Sequence, residues 1–162
     1  MQNPIFERLN VINRKEAKRL AEKIAGQFDA STINIDKILK NYVLLKNRDE
    51  KIFLVCRDFA HIEPQGLRIN TIGLYFCKID KNGFIRLSME GSQIIGPNAK
   101  RITLLNGSEA GLWLKGEAVP VSMQVNGYTI LRNGDDFLGC GFIKDKEIIN
   151  YVPKERRLKE VI

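Results

Sequence analysis

The stretch Gly127-Tyr-Thr-Ile-Leu-Arg-Asn-Gly-Asp-Asp-Phe-Leu-Gly-Cys-Gly-Phe-Ile-Lys-Asp-Lys-Glu-Ile-Ile-Asn-Tyr-Val-Pro-Lys-Glu-Arg-Arg157 decides the fold. Asn133-Gly134 separates two apolar runs, Tyr128–Arg132 and Asp136–Ile143, and supplies the left-handed backbone that a tight hairpin requires. A second hairpin is expected at Lys144-Asp145-Lys146-Glu147, whose turn contains no glycine. Gly139 and Gly141 fall inside a strand pattern, where glycine marks a bulge, a sharp bend or the close approach of another group. That group is either a nucleotide or the protein's own curved sheet, and the sequence leaves both readings open.

Upstream, Asn13-Arg-Lys-Glu16 has capping-box spacing, and Ala17, Leu20, Ala21, Ile24 and Phe28 recur at helical intervals. The helix they define turns Arg14, Lys15, Lys18, Arg19 and Lys23 outward, onto a face read as solvated, with an RNA-facing basic helix as the alternative reading. Tyr42–Lys46 and Lys51–Arg57 read as strands joined by Asn47–Glu50. Leu67–Ile79 and Phe84–Met89 form a further hairpin across Asp80-Lys-Asn-Gly83. Gly96-Pro97 signals a boundary, which divides the chain into residues 1–98 and 99–162. Ser108 followed by Glu109–Lys115 predicts a short helix that anchors Trp113 in the second core. The expected fold class is therefore α+β, with a small mixed N-terminal domain ahead of a compact β unit.

The chain has 162 residues and a formal charge of +7. Such a balance favours a polyanionic partner, because lysine and arginine that neutralise phosphates release condensed counterions. Residues 1–95 hold sixteen basic against eleven acidic side chains, and residues 96–162 ten against eight. A nucleic-acid footprint should thus include the first half, unless local clusters such as Lys154, Arg156 and Arg157 dominate.

Catalytic and cofactor motifs fail on inspection. Gly91-Ser-Gln-Ile-Ile-Gly96 has phosphate-loop glycine spacing, but Pro97-Asn98 stands where Lys-Ser/Thr is required. Gly139-Cys-Gly lacks the third glycine of a dinucleotide fingerprint. His61 is the one histidine and has no nucleophile elbow to serve. Cys56, Cys77 and Cys140 lack metal-site or disulfide spacing and read as buried, reduced residues. No cofactor and no metal is expected. Asp135 and Asp136 are adjacent, so in a strand they face opposite ways, and turn stabilisation is the better account of them. Glu90 has no physical explanation from sequence, and neither does the Gly91–Pro97 segment. No apolar run is long enough to span a bilayer, and no signal region opens the chain, so a cytoplasmic protein without membrane contact is expected.

Three groups of residues carry a family resemblance. Gly127-Tyr128, Asn133–Gly141 and Ile149–Leu158 resemble the PUA-like RNA-binding domain of Nop/Sun-type ribosomal RNA cytosine methyltransferases. The chain is similar also to small archaeal ribosome-biogenesis-type proteins that lack the methyltransferase domain. The likeness extends through Leu67–Asn70, Gly73–Phe76, Leu87–Pro97 and Trp113–Glu117.

That resemblance implies a pre-PUA-like N-terminal domain followed by a PUA-like β pseudobarrel. It also implies a non-catalytic RNA-binding factor in ribosomal RNA maturation, modification or ribosome biogenesis. The glycine-rich S-adenosylmethionine loop and proline-cysteine context of the enzymes are missing, so catalysis is not carried over. The partner would be ribosomal or transfer RNA, with a methyltransferase or ribosome-assembly factor as a further candidate. The expected RNA-binding residues are Arg132, Gly139, Gly141, Lys144, Lys154, Arg156 and Arg157. Two other readings stand beside this one: an adaptor that recruits a methyltransferase or assembly factor, and an enzyme using Glu90, Asp135 or Asp136.

Overall fold

The computed structural model describes residues 9–61, 71–122 and 125–159. The expected strand start and the resemblance at Leu67–Asn70 lie outside these residues. The first sheet is antiparallel, in the order β1 (Leu9–Val11), β2 (Tyr42–Asn47), β3 (Lys51–Cys56), β4 (Leu74–Ile79), β5 (Ile85–Leu87). Helices α1 (Arg14–Phe28) and α2 (Thr32–Leu39) lie between β1 and β2 in sequence. After β5 come α3 (Met89–Ile95), β6 (Ile102–Leu104), α4 (Gly107–Lys115), β7 (Val119–Pro120), β8 (Gly127–Asn133), β9 (Asp136–Lys144) and β10 (Glu147–Ile149). The second sheet runs β6-β8-β9-β10-β7, with β6 parallel to β8 and the other pairs antiparallel. The architecture is α+β. This second sheet is open, with β6 and β7 at its edges, and α4 closes one face of it.

The local chemistry of α1 is the one its sequence predicts. Glu16 N–H donates to Asn13 Oδ1 at 2.9 Å, and Asn13 N–H donates to Glu16 Oε2 at 3.2 Å. Two otherwise orphaned amides are thereby satisfied. Asp29 ends the helix with a left-handed φ of 50°. Leu20, Ala21, Ile24, Ala25 and Phe28 form the buried stripe, while the five basic side chains point to solvent. Gln27 then fastens α1 to β5, its amide nitrogen donating to the Ile85 carbonyl and its amide oxygen accepting from Ile85 N–H.

Both hairpins of the second sheet form, each with its own turn chemistry. Asn133 pairs with Asp136, so the loop is Gly134-Asp135, and Gly134 takes a φ of 57°. In the β9–β10 loop Asp145 and Lys146 have φ of 52° and 63° without any glycine. That is the left-handed pair a two-residue hairpin needs for its twist to match the strands.

The segment after β5 corrects the expectation of a strand reaching Met89. β5 ends at Leu87, and Ser88 becomes a helix cap: its Oγ accepts from Gly91 N–H at 2.9 Å and donates to the Tyr75 carbonyl at 2.5 Å. Packing explains the glycines. A Cβ on Gly91 would lie 2.1 Å from the Phe76 carbonyl oxygen, and one on Gly96 would lie 2.4 Å from the Phe137 ring. Likewise α4 is capped by Asn106, not by Ser108, with a capping box to Glu109.

The main core does not stop near residue 98. Ile24, Phe28, Ile35, Phe76 and Ile85 pack in one cluster with Tyr128, Ile130 and Cys140 of the second sheet. A second core, under α4, holds Trp113, Leu131, Ile143, Ile148 and Val152. Tyr128 Oη donates to Asp80 Oδ2 at 3.1 Å and ties the β4–β5 turn to β8. Cys77 and Cys140 are buried as expected, whereas Cys56, the last residue of β3, is exposed. Among the described residues no helix is long and apolar enough to cross a membrane.

Candidate nucleic-acid interface

A cleft of about 300 Å³ opens along the seam between the two sheets. The first sheet lends it Lys51, Tyr75 and Arg86, from three successive strands. Met89 and Glu90 enter from the start of α3. The second half contributes Gly139 and Cys140 from β9, together with Tyr151 and Arg156 from the segment that follows β10.

Cations and aromatic rings alternate along its wall. The Arg86 guanidinium lies 4.4 Å from the centroid of the Tyr151 ring, and Lys51 Nζ lies 5.6 Å from that of Tyr75. Such contacts place a positive charge on the electron-rich ring face. Burial pushes the Tyr75 hydroxyl above its ordinary range, while a hydrogen bond with Arg86 and its charge pull in the opposite direction. Tyr75 is therefore a neutral phenol at physiological pH. At the mouth, Arg156 donates to Glu90 Oε1 at 2.5 Å, and this ion pair is partly exposed on both sides. The carboxylate unexplained from sequence thus has a partner 66 residues away in the chain.

The seven expected binding residues do not converge. Gly139 and Arg156 line the cleft. Lys154 is exposed on the same 3₁₀ turn as Arg156. Lys144 is exposed at the far end of β9, five residues from Gly139, or roughly 16 Å at the usual strand rise. Arg132 lies near the opposite hairpin, and its buried Nε has no hydrogen-bond partner among the described residues.

Gly141 and Arg157 do structural work. A Cβ on Gly141 would lie 2.2 Å from Ile148 Cγ2 and 3.2 Å from the Trp113 ring. The close approach anticipated there is thus made by the protein's own core. Arg157 donates Nε–H to the Val152 carbonyl at 3.0 Å and packs over Gly116, the left-handed residue that ends α4.

Lys51, Tyr75, Arg86 and Tyr151 are the residues that sequence reasoning passed over. Each looks ordinary in its own strand or tail, and only strand pairing brings them together. Asp135 and Asp136 sit exposed at the β8–β9 turn, apart from Glu90, so the three carboxylates form no common site. Among the described residues, no group of three or more His, Cys, Asp or Glu is arranged to hold a metal ion.

None of the curated proteins matches the chain significantly. Residues 100–158 match the family described as the Methyltransferase RsmF PUA domain, and this part of the chain is thereby related to the PUA-like region of Sun/Nop-type methyltransferases.

Proposed function

We propose that the chain is a non-catalytic RNA-binding protein acting in ribosomal RNA maturation or modification. The observation that carries the reading is the PUA-domain match over residues 100–158. The net charge of +7 supports it, since basic side chains gain affinity for a phosphate backbone through counterion release. Arg156, Lys154 and the exposed basic face of α1 supply phosphate contacts that set affinity without reading sequence. An adaptor role would call for a contiguous apolar patch. Among the described residues of the first half, the exposed large apolar side chains Val11, Ile33, Leu74 and Phe84 stand on four separate segments.

Fluorescence anisotropy with structured ribosomal RNA fragments over a salt series tests the proposal. The expected result is an affinity that falls linearly in log–log form as salt rises. Absent binding, or binding insensitive to salt, would refute it.

A further inference from the structure

We infer that the cleft between the two sheets takes one unpaired nucleotide of an RNA strand. Its base would stack on the Tyr75–Tyr151 wall and its phosphate would sit against Lys51, Arg86 and Arg156. The inference rests on the RNA-binding reading above and adds to it the position and kind of contact. Among the described residues Lys51 and Arg86 make no ion pair with a carboxylate, and their neighbours in the cleft are the two tyrosine rings. Cations left without a counter-charge beside aromatic rings match the two halves of a nucleotide, an anion and a π face. The cleft's volume of about 300 Å³ admits one such unit and excludes a duplex. A base inside a helix is already stacked and paired, so only an unpaired or extruded one can enter. The site is composite: Lys51, Tyr75 and Arg86 come from the first sheet, and Tyr151 and Arg156 from beyond the second. A PUA-type segment alone would lack half of it.

The test uses a single-stranded heptanucleotide RNA carrying one central 2-aminopurine, and the same strand annealed to its complement. Binding of the single strand should quench the 2-aminopurine, and the duplex should bind more weakly. Tyr75→Leu should weaken single-strand binding about tenfold, the change expected for loss of one base–aromatic stack, and abolish the quench. Tyr75→Phe keeps the ring and should retain both, which separates stacking from misfolding. Arg86→Gln should weaken binding and reduce the slope of log affinity against log salt by about 1, the mark of a lost phosphate contact. Lys144→Ala, remote from the cleft, should leave the quench intact.

If the single strand binds in a salt-dependent way without a quench, or if Tyr75→Leu changes nothing, the cleft assignment falls and the RNA-binding reading stands. If neither RNA binds, both fall. Adenosine monophosphate binding as tightly as the heptanucleotide would assign the cleft to a free nucleotide and overturn the placement of an RNA strand there.

Discussion

Trp113 donates its indole N–H to the Leu138 carbonyl at 2.8 Å, and its ring occupies the space that side chains on Gly139 and Gly141 would need. The two glycines of β9 and the tryptophan of α4 are therefore one packing unit. Trp113 is only 1% exposed, as a core anchor should be. Gly141→Ala forces a methyl group into Ile148, an overpacking that should cost about 1–3 kcal/mol. Trp113→Ala empties the site and should cost about 3–5 kcal/mol. Urea unfolding followed by circular dichroism checks both, and a Gly141→Ala protein as stable as the parent would refute the packing account.

Gly26 and Gly111 make the opposite case. Gly26 lies in the last turn of α1 and Gly111 at the middle of α4, and a Cβ on either meets no atom within 4 Å. Glycine there retains backbone entropy in the unfolded chain with no packing return. Gly26→Ala and Gly111→Ala should each raise stability by about 0.5–1 kcal/mol, which for a chain of this size is a few degrees in Tm. Differential scanning calorimetry reads the shift, and an unchanged or lower Tm contradicts the expectation.

The Glu90–Arg156 pair sets up a test of binding without a large stability effect. With side-chain exposures of 26% and 45%, the pair is worth at most about 1 kcal/mol, because solvent screens it. Glu90→Gln removes a negative charge from the cleft mouth and frees Arg156 for phosphate. RNA affinity at low salt should rise several-fold while Tm barely moves. Arg156→Ala should weaken binding and reduce the slope of log affinity against log salt by about 1, the mark of one lost phosphate contact. A salt slope that Arg156→Ala leaves unchanged would remove that residue from the interface.

The helices and hairpins of this molecule were legible where the signal is local. The Asn13–Glu16 capping box, the α1 stripe and the Asn133-Gly134 hairpin are encoded within a few residues of each other, and each formed. α3 was missed because Ser88 reads equally well as a strand end, and only the Tyr75 carbonyl and Gly91 amide settle it as a cap. The edge strands β1, β6 and β7 have two or three residues each, too few to show a period. The cleft was not legible at all. Lys51, Tyr75 and Arg86 belong to strands whose pairing is a tertiary fact, and Arg156 joins Glu90 across 66 residues of chain.

The three thiols should separate by reactivity and by pH. Cys56 is exposed, so it should react with a thiol reagent in the native protein, whereas Cys77 and Cys140 should react only on unfolding. Burial pushes the Cys140 thiol up to about 12, and burial raises Cys77 as well. In the unfolded chain these groups ionise near pH 9. Below that pH both states hold the proton and no stability is lost. Between about pH 9 and 12 the unfolded state releases protons that the folded state keeps, so stability falls. Urea midpoints at pH 8 and 10.5 should differ in the parent, and the difference should shrink in Cys140→Ala. Equal pH dependence in the two proteins would show that the buried thiol is not its source.

Packing across the sheet seam makes a prediction about cooperativity. Phe28 of α1, Ile85 of β5 and Ile130 of β8 share one buried cluster, and the Tyr128–Asp80 hydrogen bond crosses the same boundary. Separating the halves would expose these faces together, at roughly 1.5–3 kcal/mol for each large apolar side chain returned to water. Neither half should therefore melt while the other persists. The composition offers a direct readout: Trp113, the chain's single tryptophan, reports on the core under α4, whereas most helical circular dichroism comes from α1 and α2. Fluorescence and far-ultraviolet circular dichroism should trace the same urea transition with the same midpoint and slope. Two separated midpoints would mean that the seam is a contact between independently stable units, and the cleft would then depend on how those units dock.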